Sequence, residues 1–399
     1  MIEQITIKNF KSFKDVTLKL GPLNIFIGAN ASGKSNFFDA LRVVQGIGYG
    51  FALSEILDGK PKSATSEVWE GIRGGSQMAG FASEDVDQLT SFEVAHNSGF
   101  EYTIAFSANK GRIWEERLHV SGNSVYDFRG GRTGGIYTPS GPLFFGNNPR
   151  EKHEAKRDRP VLMQIAELTP GWRYTSPNMT SQDVAHILAN MQRIDPSPAL
   201  LRLYSQAYEI KRMGEHGENF AALIRMICSD PATKEAYLSW LRELRPRDVD
   251  DVGVLKGALG EPMVMMKERG REWPAPALSD GTLRFAAIAA AFFQPDMPGI
   301  LTIEEIENGI HASRLRLLVE LLRSQAADGK TQVMVTTHSP IVLAWLKPEE
   351  YATTFYCKRD EETGESRIVP LTEIPRFEEI VRKQPISDLF AEGWMETAL

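Results

Sequence analysis

The sequence has only two cysteines in 399 residues, Cys228 and Cys357. That excludes a disulfide-built scaffold and fits a reducing compartment. No apolar run approaches the roughly 20 residues that cross a bilayer, and the opening MIEQITIKNFKSF alternates polar and apolar residues without a signal-peptide core. A cytoplasmic protein with no membrane partner is therefore expected. Positive charge is not in surplus either: 45 Lys and Arg stand against 52 Asp and Glu, for a net charge of −7. Any nucleic-acid contact must come from a local basic patch rather than a global field. The chain also lacks internal repeats, low-complexity tracts and a sustained heptad, so a long coiled-coil arm is excluded. What remains is an ordinary globular composition, 42% hydrophobic and 24% charged. Its length suffices for one large domain or two modest ones with a sizeable core.

Residues 1–30 read as strand, turn, strand. Ile5, Ile7 and Phe10 alternate with polar neighbours, as do Val16, Leu18 and Leu20, and 23–27 is a short apolar run of the kind found in buried strands. Residues 36–44 carry apolar side chains at helical spacing. From about 46 to 160 the chain is glycine-rich with short β-like runs such as 100–106. From about 180 to 245 it turns helical, broken by Pro196, Pro198 and Pro231. From about 275 strands alternate with helices, the signature of a parallel sheet.

Between the 23–27 strand and the 36–44 helix lies Gly28-Ala29-Asn30-Ala31-Ser32-Gly33-Lys34-Ser35, which fits G-x-x-x-x-G-K-[ST] without mismatch. Glycines at these positions let successive N–H groups turn toward phosphate oxygens. The following helix, which begins at Asn36, adds its positive end. Lys34 reaches the outer phosphates and the Ser35 hydroxyl suits Mg²⁺. Hydrolysis needs acids as well. Residues 299–303 are an apolar run ending in Glu304 and Glu305, whose side chains diverge. Glu304 is assigned to Mg²⁺ or its water shell and Glu305 to polarising the attacking water. Residues 332–336 form another buried-strand pattern, and His338 just beyond it is placed to bond the γ-phosphate. Ser279 or Asp280 suits a helix N-cap before an Ala-rich helix, and Gly281 permits close backbone approach, so this is read as a second anion-binding helix start.

This order of motifs resembles the ATP-binding-cassette class of ATPases, in the branch that includes RecF and the SMC-like proteins. The loop looks like that branch's G-x-N-G-S-G-K-[ST], with Asn30 in place and Ala31 where glycine is usual. Leu278-Ser279-Asp280-Gly281-Thr282 is similar to its signature motif. Residues 304–311, EEIENGIH, look like the Walker B motif and D-loop of small RecF-like ATPases, with Ile306 in place of a frequent proline. Thr337-His338-Ser339-Pro340 matches their switch histidine. The opening ITIKNFKSF is also typical, whereas 50–270 match only loosely. The resemblance implies an α/β fold: an ABC-ATPase-type head with a β-rich N-terminal lobe (1–175), a helical insertion (176–270) and a parallel-sheet C-terminal lobe (271–399). It implies ATP and Mg²⁺ as cofactors, with a Q-loop glutamine on the metal, for which Gln45 and Gln77 compete and Gln77 is preferred. It also implies a homodimer or higher oligomer when ATP is bound, Ser279 and Gly281 completing the site in trans.

Two roles are open for such an ATPase. One is a prokaryotic sensor for DNA or phage that acts with a separately encoded effector such as a nuclease, since a TOPRIM nuclease like that of overcoming-lysogenisation-defect proteins is not expected in these 399 residues. Residues available for DNA are the runs Arg150, Lys152, Lys156, Arg157, Arg159 and Lys8, Lys11, Lys14, both interleaved with acids. The other is a regulatory or scaffolding ATPase that controls a protein partner without touching nucleic acid. Residues 386–395 are predicted to form one short amphipathic helix with an aromatic end, which either packs on the head, the preferred reading, or docks a partner.

Overall fold

A computed structural model describes residues 1–60, 69–81, 88–129, 135–137, 155–168, 180–206, 209–244 and 248–399. They fall in two compact units, each assembled from separate stretches of chain. The first comprises 1–21, 28–191 and 356–369, and the second 22–27, 192–355 and 370–399. Strands and helices are interleaved throughout, giving a mixed α/β protein. Among the described residues no helix is long and apolar enough to cross a membrane.

The first unit opens with the hairpin β1 (Ile2–Phe10) and β2 (Phe13–Lys19), followed by β3 (Leu23–Ile27), which belongs to the second unit. Ile5, Ile7, Val16 and Leu18 are buried while Lys14, Asp15 and Thr17 are exposed. That is the outcome of period-two alternation on a sheet with one covered face. Strands β4 (Thr90–His96), β5 (Phe100–Ser107), β6 (Arg112–Val120), β7 (Asn123–Arg129) and β8 (Gly135–Tyr137) extend the hairpin into an antiparallel sheet of order β2-β1-β4-β5-β6-β7-β8. Phe10 meets Phe92 edge-on at 5.2 Å, and Phe92 stacks on Phe106 at 6.0 Å, so aromatic cross-strand pairs hold its inner face.

The helices of this unit are α1 (Lys34–Gly48), α2 (Leu53–Asp58), α3 (Val161–Leu168) and α4 (Ser181–Ala189). α1 buries Phe37, Phe38, Leu41, Val44 and Ile47. At Gly48 a Cβ would sit 2.3 Å from the Ala189 backbone nitrogen, so α1 and α4 approach to backbone contact only because that residue is glycine. α4 begins with a capping box, Thr180 Oγ1 accepting from the Asp183 amide at 3.1 Å and Asp183 accepting from the Thr180 amide at 2.7 Å.

Glu116 of β6 is fully buried. It accepts from Tyr126 Oη at 2.8 Å and from the amides of Val161 and Leu162 at 2.7 and 2.8 Å, the first two of α3. Burial pushes its carboxyl up to about 7, against the lowering effect of the hydrogen bonds from Val161, Leu162 and Tyr126. A folded-state value above the unfolded one means that the folded chain binds the extra proton. The contribution to stability is complete below the unfolded value and is lost as pH rises through about 7. Wild type is therefore expected to lose stability relative to Glu116→Gln between pH 5 and pH 8, by a few kcal/mol. Parallel melting curves of the two proteins across that range check this, and a pH-independent difference would refute it.

In the second unit, β9 (Met191–Ile194), α5 (Pro198–Leu201), α6 (Phe220–Ile227) and α7 (Pro231–Leu244) lead into the meander β10 (Val249–Lys256), β11 (Pro262–Glu268), β12 (Arg271–Pro274). Then come α8 (Asp280–Ala290), β13 (Ile300–Ile303), α9 (Ala312–Ala327) and β14 (Gln332–Thr337). β14 pairs in parallel with β13 on one side and β3 on the other, and β9 lies beyond β13. All residues of β3, β13 and β14 are buried, which is why these strands read as continuous apolar runs rather than alternating ones. The chain closes with α10 (Pro340–Leu343), then β15 (Thr354–Arg359) and β16 (Ser366–Pro370), of which residues 356–369 belong to the first unit, then α11 (Phe377–Val381), α12 (Ile386–Ala391) and α13 (Trp394–Ala398). The single helix expected over 386–395 is thus two, because Gly393 at φ +71° takes the left-handed conformation and interrupts it.

Candidate functional site

In the first unit the loop 28–33 runs into α1 with Gly33 as its N-cap, at φ +108°. A Cβ on Gly33 would meet Ser366 at 2.7 Å, and one on Gly28, at φ +149°, would meet the Cys357 carbonyl oxygen at 2.3 Å. Both glycines are therefore demanded by conformation and by space. Ala31, the position where the resembled motif has glycine, sits at φ +61°, so the alanine carries left-handed strain. The Lys34 side chain is buried and folds back over the loop, Nζ donating to the Gly28 and Ala29 carbonyls at 2.7 Å each and lying 3.4 Å from Ser32 Oγ. An ammonium held on carbonyls at a helix start gives a compact positive focus.

Beside this loop lies a cavity of about 730 Å³ lined by Lys11, Ser12, Asn36, Arg73, Gln77 and Arg359 among others. Asn36 Nδ2 donates to Ser12 Oγ at 2.7 Å. Lys11 Nζ is paired with the buried carboxylate of Asp39 and donates to the Arg73 carbonyl at 2.7 Å. Three cations and several amides make the lining suited to a polar anion. Gln77 faces this cavity, whereas the Gln45 amide donates to the Ala189 and Met191 carbonyls and ties α1 to the end of α4. Of the basic runs, Lys8 is 3.7 Å from Asp15, Lys11 is buried on Asp39, and Arg159 is 3.9 Å from Asp158. Arg150 and Lys152 lie outside the described residues.

In the second unit the parallel register brings the strand ends level: Ile303 is opposite Val335 and Thr337 opposite Ile27. Glu304 and Glu305 follow β13 and His338 follows β14. Glu305 has φ +48°, and this turn sends the two carboxylates apart. Glu304 Oε1 pairs with Arg193 at 3.1 Å, and Arg193 in turn reaches Glu215 at 3.2 Å. Glu305 Oε1 lies 3.0 Å from His338 Nε2, its Oε2 accepts from Asn308, and its backbone amide donates to Thr336 Oγ1 at 2.8 Å. Ser279 is the N-cap of α8, its Oγ accepting from the Thr282 amide at 3.3 Å. A Cβ on Gly281 would stand 2.6 Å from the Gly309 carbonyl oxygen, so the close approach anticipated there is to the chain's own 304–311 loop.

Two side chains escaped the sequence reading. Arg193 follows an unremarkable helix in a region without motif, and only β9 lying beyond β13 brings it to Glu304. Arg284 of α8 is buried and donates to Asp195 Oδ1 and the Pro196 carbonyl at 3.0 Å each, with its other nitrogen 3.4 Å from the carbonyl oxygens of both Glu304 and Glu305. It links the signature-like helix to the twin glutamates. Its position five residues after Ser279 was the one signal available.

Arg284→Ala is expected to destabilise the protein by about 2–4 kcal/mol, because it leaves those acceptors unpaired. Thermal or urea unfolding checks it. Ala31→Gly is expected to be stabilising by about 0.5–1 kcal/mol as the left-handed strain is relieved, and a lowered melting temperature would contradict that reading of the loop.

Comparison with known proteins bears on both ends of the chain. A family described as an AAA ATPase domain matches residues 1–57, and one described as an AAA domain, putative AbiEii toxin, type IV toxin–antitoxin system matches residues 264–344. A Helicobacter pylori protein named ATP/GTP phosphatase is 23% identical over 360 residues, covering 85% of each chain. Among solved structures, a Pyrococcus furiosus-derived Smc head domain with an extended coiled coil, bound to the C-terminal domain of ScpA, aligns with a TM-score of 0.51 at 14% identity, over 96% of this chain and 99% of that one. The SMC head domain of Thermotoga maritima aligns with a TM-score of 0.44 at 15% identity, over 92% and 98%. The chain is thus similar to AAA-type ATPases at the loop and at the twin-glutamate end, and it has the fold of an SMC head domain.

Proposed function

We propose that this protein hydrolyses ATP to ADP and phosphate, with Gly28–Ser35 as the phosphate loop and Glu305 as the group that activates water. The observation that carries the reading is the built loop: two glycines with no room for a Cβ, and a buried Lys34 ammonium curled onto the carbonyls of Gly28 and Ala29. Such a loop fits a polyphosphate, whose oxygens replace those carbonyls as partners of Nζ. Residues 28–36 bind the phosphates, and the cavity lined by Lys11, Ser12 and Asn36 takes the remainder of the nucleotide.

Ser35, Glu304 and Gln77 are the residues assigned to Mg²⁺, which when bound offsets phosphate charge. Arg193 neutralises Glu304 until then. His338 orients the Glu305 carboxylate through the 3.0 Å contact, leaving Glu305 to take a proton from water. The relative named ATP/GTP phosphatase supports triphosphate hydrolysis.

The chain carries one phosphate loop and one signature-like helix start. We therefore assign the active form to a homodimer around ATP, Ser279 and Gly281 facing the nucleotide of the other copy. The match to a family whose description includes a toxin–antitoxin system supports a role as a sensor working with a separately encoded effector. DNA as the sensed ligand draws no support from Lys8 or Lys11, which are already paired.

Lys34→Ala is expected to abolish nucleotide binding, and Glu305→Gln to bind ATP normally while losing turnover by at least about 100-fold. Binding titrations and phosphate release check these, and wild-type turnover in either variant would refute the assignment. Light scattering of Glu305→Gln with ATP is expected to show a dimer, and a strict monomer would overturn the trans arrangement.

A further inference from the structure

The 304–310 loop is fastened to the end of β14 by more than its backbone. Beyond the strand it makes two consecutive tight turns, the Asn308 amide donating to the Glu305 carbonyl at 2.9 Å and the Ile310 amide to the Glu307 carbonyl at 3.0 Å. Gly309 stands at φ +69°. The Ile306 amide donates to the Thr336 carbonyl at 3.1 Å. One residue past β14, the backbone amide of His338 donates to Glu307 Oε1 at 2.6 Å. Glu307 Oε2 is buried and has no hydrogen-bond partner among the described residues.

We infer that Glu307 is a positioning residue for turnover: it grips the backbone of His338 so that the imidazole meets Glu305. The inference rests on the roles proposed above for Glu305 and His338. A histidine one residue beyond a strand is free to swing about its backbone unless that backbone is anchored. Here the anchor is a charged acceptor on the neighbouring loop, a strong form of amide hydrogen bond. The result is a closed ring of contacts. Glu307 holds the His338 amide, the His338 ring holds Glu305 Oε1, and Asn308, next to Glu307, holds Glu305 Oε2. Both oxygens of Glu305 are thus oriented by residues that Glu307 keeps in place. The twin of the oxygen that makes the short Glu307 contact is buried without a partner among the described residues. The hydrogen bond to the His338 amide requires an acceptor oxygen, which a carboxamide also supplies, and this separates positioning from charge.

The test uses the full-length protein with Glu307→Ala, Glu307→Gln and Glu307→Met, the last filling the same space without an acceptor. Measured are ATP affinity by titration, steady-state turnover, and exchange of the His338 amide proton. Glu307→Ala and Glu307→Met are expected to lower kcat by about 100-fold, as expected for a catalytic group displaced by about 1 Å. ATP affinity is expected to stay within about twofold, a uniform-binding term being untouched. Exchange at His338 is expected to accelerate. Glu307→Gln keeps an acceptor oxygen and is expected to restore most of kcat. Wild-type turnover in Glu307→Met would overturn the inference, as would a loss of ATP affinity parallel to the loss of kcat. If Glu307→Ala does not fold, the Met and Gln pair decides. If Glu305→Gln itself turns over normally, the reading of Glu305 fails, a result distinct from any outcome at Glu307.

Discussion

The parallel pairing of β14 with β13 on one side and β3 on the other is the constraint on which the functional arrangement depends. Thr337 lies opposite Ile27 and Val335 opposite Ile303, so three chain segments leave their strands at one edge of the second unit. A slip of one residue along β14 would invert its faces and move His338 away from Glu305. Nothing about the 3.0 Å contact between those side chains is local in sequence; it is inherited from the register. The strands tolerate no such slip because all fifteen of their residues are buried. A misregistered strand would have to place Asn24 or Gln332 against new apolar partners.

Around this frame, charge is compensated in pairs. Arg193 stands on Glu304, Arg284 on Asp195, and Lys11 on Asp39. Each joins residues far apart in the chain, and each places one partner where burial would otherwise make it unfavourable. Lys34 Nζ is held on the carbonyl dipoles of Gly28 and Ala29, which keeps a cation at the start of α1, a helix whose first turn carries no acid.

The loop and the motifs were legible in the sequence because their chemistry is carried by residues a few positions apart. Gly28, Gly33 and Lys34 act within one turn of chain, and Ser279 caps the helix that begins at the next residue. The apolar runs at 23–27, 300–303 and 332–337 announced buried strands through the same local logic. Glu116 shows the opposite case. A glutamate in a strand of alternating pattern gives no hint that it will cap a helix starting at Val161, since that contact spans 45 residues. The C-terminal segment misled in a third way: its apolar spacing continues past Gly393, and one left-handed residue outweighs it.

By itself the sequence determined the elements, the loop, the identity of the acids and the histidine, and the class of fold, because propensity, periodicity and short motifs act over distances of a few residues. Only the tertiary structure decided which partners those side chains keep. Strand order set Arg193 against Glu304, strand register set His338 against Glu305, and the turn after β13 brought Glu307 to the His338 amide. These are contacts between segments tens to hundreds of residues apart, and no local preference encodes them. They follow from burying the strand faces together, and the polar pairs form where that burial leaves them.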